Sequence, residues 1–157
     1  MTALRLSVES LIVSPNEAAL AEQLSEHLRV TTGRGPSPSE VRSWQRSLPA
    51  LARDLADAGL GKVELLVEYK LPLTSKRADV VLAGVHPRTG EDSYVVVELK
   101  QWSRAEPSDQ GDHLVIVDGM PGRDLLNPAE QVRRYCEYMS DFLSVLKDRP
   151  RSVHGAA

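Results

Sequence analysis

Cysteine is nearly missing from this chain: its 157 residues include one, Cys136. No disulfide framework is open to it, and the expectation is a reducing, cytoplasmic setting. Cys136 falls inside a helical pattern and reads as a small packing residue. No apolar run approaches the roughly 20 residues that a membrane-spanning helix needs, so no membrane partner is expected. The N-terminus lacks the basic-then-apolar layout of a secretory signal. An excess of basic residues is also missing, with 19 Lys and Arg against 22 Asp and Glu and a formal charge of −3. Any contact with nucleic acid has to come from a local patch. No Gly-x-x-x-x-Gly-Lys-Ser/Thr run occurs, so the chain has no phosphate-binding loop for ATP. The histidines at 27, 86, 113 and 154 show no metal-ligand spacing.

What is present suits one globular domain with a real core: 41% hydrophobic and 26% charged residues. Leu4 to Val13 alternates loosely and reads as a strand. Three helices start with one repeated device, Ser14-Pro15-Asn16-Glu17, Ser37-Pro38-Ser39-Glu40 and Asn127-Pro128-Ala129-Glu130. Each offers a cap residue, a proline whose missing N–H costs nothing there, and a glutamate placed for a capping box. The helices are expected over about 15–29, 38–59 and 128–147, with apolar stripes Leu20-Ala21-Leu24-Leu28, Trp44-Leu48-Leu51-Leu55 and Tyr135-Tyr138-Phe142-Leu146. Strands are expected near 63–70, 77–84, 93–101 and 113–118.

The chemistry lies in two of those strands. Arg77-Ala-Asp-Val-Val-Leu82 and Tyr94-Val-Val-Val-Glu-Leu-Lys100 are joined by a stretch containing Pro87, Gly90 and Asp92, a turn composition, so an antiparallel hairpin is expected. A symmetric hairpin sets Asp79 opposite or nearly opposite Glu98, and alternation puts Glu98 and Lys100 on one face. Like charges facing across a ladder are destabilising. A divalent cation is the most economical reason for gathering two carboxylates among valines, because hard cations take oxygen ligands and cancel the repulsion. The competing reading is an exposed polar face with ordinary ion pairs, Asp79 with Arg77 or Lys76.

Asp79 followed by Glu98-Leu99-Lys100 resembles the signature of the PD-(D/E)XK nuclease superfamily. More narrowly, Glu68-Tyr-Lys-Leu-Pro72, Ser75-Lys-Arg-Ala-Asp79 and Val97-Glu-Leu-Lys-Gln-Trp102 are similar to the nuclease-like N-terminal region of DUF2075-type helicase proteins. The resemblance covers about 38–146. It implies an α/β/α sandwich around a mixed four-stranded sheet, a restriction-endonuclease-like core. It implies Mg²⁺, with Mn²⁺ as substitute, held by Asp79, Glu98 and the carbonyl of Leu99, and Lys100 assisting the attacking water. Glu40 is a further candidate ligand, with a helix cap as its competing role. Glu68 reads as a solvent-facing strand residue. Gln131 and Tyr135 share a helix face, a spacing that related nucleases carry beside the metal, where it helps place substrate or the lysine. Lys76, Arg77, Arg133 and Arg134 are candidate phosphate contacts, and Trp102 a candidate base-stacking or core residue.

The expected division is an N-terminal strand and helix extension over 1–36, a nuclease-like core over 37–148 and a disordered tail over 149–157. The expected function is metal-dependent hydrolysis of phosphodiester bonds in DNA or RNA. The alternatives are an inactive nuclease-fold module that binds nucleic acid or a protein, and a regulatory module whose acids make structural ion pairs only. An ATP-driven motor usually follows in the resembled family. A separate helicase or ATPase is therefore the expected partner, with the chain a stand-alone domain, a fragment or a truncated relative.

Overall fold

A computed structural model of the chain describes residues 3–13, 17–120, 122–146, 149 and 152–157. The first of the three cap sequences, Ser14-Pro15-Asn16, lies outside the described residues. Leu4–Val13 is not one strand. It divides into β1 (Leu4–Ser7) and a short helix, α1 (Val8–Val13). Ser7 and Ser10 explain the break: each backbone N–H donates to the other's hydroxyl, at 3.2 and 3.1 Å. That reciprocal cap satisfies two amides that a continuing strand would have paired elsewhere.

Helix α2 is Glu17–Thr32 and α3 is Pro38–Asp57. The α3 capping box is complete: Glu40 N–H donates to Ser37 Oγ at 3.3 Å, and Ser37 N–H donates to Glu40 Oε2 at 2.7 Å. Helix α4, Pro128–Phe142, starts differently. Ala129 N–H donates to the Asn127 side chain at 3.0 Å, but Glu130 turns to Arg133 and Arg134 instead of closing a box. The helix ends at Phe142 and Ser144–Leu146 forms one 3₁₀ turn, so the expected extension to 147 is cut short. Its buried stripe is Val132, Tyr135 and Met139, while Phe142 is 52% exposed and stacks on Tyr138.

Strands β2 (Glu64–Lys70), β3 (Arg77–Val85) and β4 (Asp92–Val97) form the expected antiparallel meander. The sheet has five strands rather than four. β1 adds antiparallel to β2, and β8 (Val153–Ala156) adds parallel to β4, giving the order β1-β2-β3-β4-β8. The apolar run near 113–118 is indeed a strand, β6 (Leu114–Val117), but it does not join this sheet. It pairs with β5 (Ala105–Pro107) and β7 (Asp124–Leu126) in a separate three-stranded sheet. The partner of β4 comes instead from the tail expected to be disordered.

The two sheet faces carry two apolar clusters. Leu65, Val67 and Val80 pack with Leu24, Leu28, Trp44 and Leu48 from α2 and α3. Leu66, Tyr69 and Val81 pack with Val132, Tyr135 and Met139 from α4. The fold is therefore α/β, a mixed sheet with helices on both faces. Val8, Leu24 and Leu28 belong to the first cluster, so α1 and α2 pack on the same core as α3 and the sheet. Among the described residues, no helix is long and apolar enough to cross a membrane.

Strand β8 has a direct bearing on the chemistry, because Glu98 N–H donates to Ala156 O at 3.1 Å. The strand lies against α4 through Gly155, where a Cβ would overlap the Val132 side chain and meet Cys136 Sγ at 3.3 Å. Cys136 is thus a contact residue, its thiol donating to His154 O at 3.2 Å. Gly155→Ala should destabilise by about 1–3 kcal/mol, as overpacking does. A thermal melt should show a Tm several degrees lower; an unchanged Tm would mean that β8 does not pack here.

Candidate active site

Val80 pairs with Val97 at the end of the β3–β4 ladder, and one more step of that register sets Asp79 opposite Glu98. The ladder stops there. Asp79 Oδ2 takes the Leu99 N–H at 2.8 Å, so a carboxylate replaces a strand carbonyl as the acceptor. Beyond Val97 the chain leaves the sheet, and Gln101 ties it to α3 by donating to Ser47 Oγ at 3.2 Å. Lys100 Nζ donates to Glu98 Oε1 at 2.5 Å and lies 5.6 Å from the Trp102 ring centroid. Trp102 is half-buried beside this lysine rather than in either core cluster.

Asp79, Glu98, Leu99 and Lys100 line one cavity of about 320 Å³ together with Glu40 and Glu68. Burial raises the Asp79 pKa above its ordinary value, and the Leu99 N–H and Lys100 offset this only in part. Burial raises Glu98 as well, and the charge of Asp79 adds to the effect against Lys100 and the nearby Gln131 amide. Glu98 is 5% exposed, and its Oε2 has no hydrogen-bond partner among the described residues. A buried carboxylate oxygen without a donor costs free energy on the order of 1–3 kcal/mol or more.

Glu68 is the acid that sequence reading misplaced. It is 7% exposed, not solvent-facing. Its backbone φ is +54°, a left-handed conformation that a non-glycine residue adopts at a cost of about 1–3 kcal/mol. Alternation slips by one there: Leu65 and Val67 face the α3 side, while Leu66, Tyr69 and Leu71 face the α4 side. Glu68 therefore turns into the cavity, where Trp44 Nε1–H donates to its Oε1 at 2.8 Å and Arg77 stands 3.3 Å from Oε2. Burial raises its pKa despite both partners. The available sequence signal was a lone acid in the apolar run Leu65-Leu-Val-Glu-Tyr69, the same pattern that marks Asp79 and Glu98.

Glu40 has both oxygens engaged, Oε2 in the cap and Oε1 with Arg77 at 3.1 Å. Burial acts to raise its pKa, but the Ser37 bonds and Arg77 outweigh it and hold the group below its ordinary value. Arg77 accordingly bridges Glu40 and Glu68 and is not free for a phosphate. Arg133 and Arg134 are likewise answered, by Glu130 and Glu137, and the two arginines hold Glu130 down to about 2. Lys76 is exposed; its backbone N–H donates to Thr74 Oγ1 at 3.1 Å and its carbonyl accepts from Leu71 N–H at 3.0 Å. Gln131 Nε2–H donates to the Tyr135 hydroxyl at 3.1 Å on the α4 side of Glu98. Burial raises the Tyr135 pKa, and the charges of Glu98 and Asp79 add to it.

Among the described residues, no three His, Cys, Asp or Glu groups come together as a ready metal cage. The donor set that the resemblance implies is Asp79, Glu98 and the Leu99 carbonyl, and all three residues line the cavity. Such a sparse set suits Mg²⁺, which keeps several of its waters when bound. The orphaned Glu98 Oε2 and two carboxylates with raised pKa values both call for added positive charge, so these residues fit the ion. Compared with protein-family models, curated proteins and solved structures, the chain matches none.

The raised pKa of Asp79 has a definite sign for stability. The folded state binds this proton more tightly than the unfolded chain does. The metal-free protein therefore loses stability as pH rises from the unfolded value, about 4, through the folded one. Asp79→Asn, which keeps an acceptor for Leu99 N–H, should raise Tm in EDTA at pH 7–8. The gain should vanish below about pH 4. A Tm difference that stays flat with pH would show that Asp79 is not strained by its charge.

Proposed function

We propose that the chain is a metal-dependent nuclease that hydrolyses phosphodiester bonds of DNA, or of RNA, on a restriction-endonuclease-like core. One observation carries this reading. A half-buried carboxylate, Asp79, and a buried one, Glu98, share a cavity with one ammonium, and Glu98 Oε2 is left without a donor among the described residues.

Asp79, Glu98 and the Leu99 carbonyl would hold the ion, which supplies Lewis acidity at the phosphate and a lowered pKa for a bound water. Lys100 has two assignments. Its contact with Glu98 fixes it at the cavity, and its charge stabilises negative charge developing on a phosphate oxygen. The Asp79–Leu99 bond fixes the backbone between the two ligand side chains. Glu40 and Glu68 act indirectly, by clamping Arg77 beside Asp79. Gln131 orients Glu98 and Tyr135 from the α4 side.

A second reading keeps the fold and removes the cleavage: a module that binds nucleic acid or a protein. The lack of a third acid in ligand geometry among the described residues favours it. Cleavage of plasmid DNA and of RNA in Mg²⁺ or Mn²⁺ separates the two. Asp79→Ala, Glu98→Ala and Lys100→Ala should each lower the rate on the order of 10²-fold or more. Cleavage that persists in EDTA, or three variants with full activity, would remove the mechanism.

A further inference from the structure

Beside the carboxylate cavity lies a second one of about 460 Å³, lined by Thr31, Thr32, Arg34, Lys70, Ser75 and Arg77 among others. Glu40, Ser75 and Arg77 border both, so the two cavities share a wall. Their charges are opposite in kind. The first holds buried acids in excess. In the second, Glu40 is the acid on the wall, and both its oxygens are taken by Ser37 N–H and Arg77. No ion pair to the Arg34 guanidinium or the Lys70 ammonium exists among the described residues. The hydroxyls of Thr31 and Thr32 donate to the α2 carbonyls of His27 and Leu28, at 2.7 and 2.8 Å.

The geometry points to this second cavity as a phosphate-binding annex, in which Arg34 and Lys70 hold a backbone phosphate of a nucleic-acid strand whose neighbouring phosphodiester lies at Asp79 and Glu98. The inference rests on the nuclease reading and adds a direction to it. Two unneutralised cations beside a hydroxyl suit a phosphate, and the planar guanidinium of Arg34 matches its oxygens. A lone anion would need only the annex. A shared wall between annex and carboxylates suits a ligand with phosphates in series. Arg77, on the shared wall, sets the path: the strand runs from the carboxylates past Arg77 to Arg34 and Lys70.

The test is fluorescence polarisation of a labelled single-stranded DNA 12-mer in EDTA, over 50 to 200 mM NaCl. Arg34→Ala/Lys70→Ala should weaken binding about ten-fold at the lower salt. It should also flatten the slope of log affinity against log salt by about 0.7, one phosphate's worth for a single strand. Arg34→Lys/Lys70→Arg should recover most of both. Arg53→Ala/Arg88→Ala, which removes two exposed cations elsewhere, should change affinity less than two-fold. Equal affinity and slope in wild type and Arg34→Ala/Lys70→Ala would overturn the annex, and so would a wild type that does not bind. Cleavage is not read out here. A protein that binds through Arg34 and Lys70 but never cuts keeps the annex and loses the nuclease reading.

Discussion

The carboxylate of Asp79 accepting the Leu99 N–H is the interaction on which the site depends. It ends the β3–β4 ladder one step early and turns the chain out of the sheet. Glu98, Leu99 and Lys100 are thereby presented to a cavity instead of to a sixth strand pairing. Without it, Glu98 and Asp79 would sit as a like-charged pair across an ordinary ladder, an arrangement sheets avoid. The bond also explains why Asp79 is half-buried despite its charge, and why its pKa still rises: one backbone donor offsets desolvation only in part.

Support for this point comes from both faces of the sheet. On the α3 side, the Glu40 cap, the Arg77 bridge and the Trp44 indole fix the acids around Asp79. On the α4 side, Gln131 and Tyr135 approach Glu98, and β8 holds its backbone through Ala156 O. A site strained by its own negative charge is thus held by elements that gain stability elsewhere, in two apolar clusters. Functional sites commonly store strain in this way.

The β3–β4 hairpin and its three charged residues were legible because Val-rich runs bounded by turn residues give both the pairing and the faces. The Ser37 cap was legible because its chemistry is local. Three features were not. Strand β8 is the short sequence Val-His-Gly-Ala, with no alternation, and only the close approach of Gly155 to α4 makes it fit. The apolar run at Leu114–Val117 specifies a strand but not which sheet it joins. Glu68 reaches the site through a positive φ that slips the period-two pattern, and counting by alternation sends it to the wrong face. In each case, contacts distant in sequence decide what local pattern cannot.

The central claim is that Asp79, Glu98 and the Leu99 carbonyl together hold a divalent ion. A crystal of the protein grown with Mn²⁺, measured for anomalous scattering at the manganese edge, tests it most directly. The account predicts a peak bonded to one oxygen from each of these three residues, at about the 2.0–2.2 Å usual for small hard cations. A map with no peak between Asp79 and Glu98, or with the metal held by other residues, would contradict it.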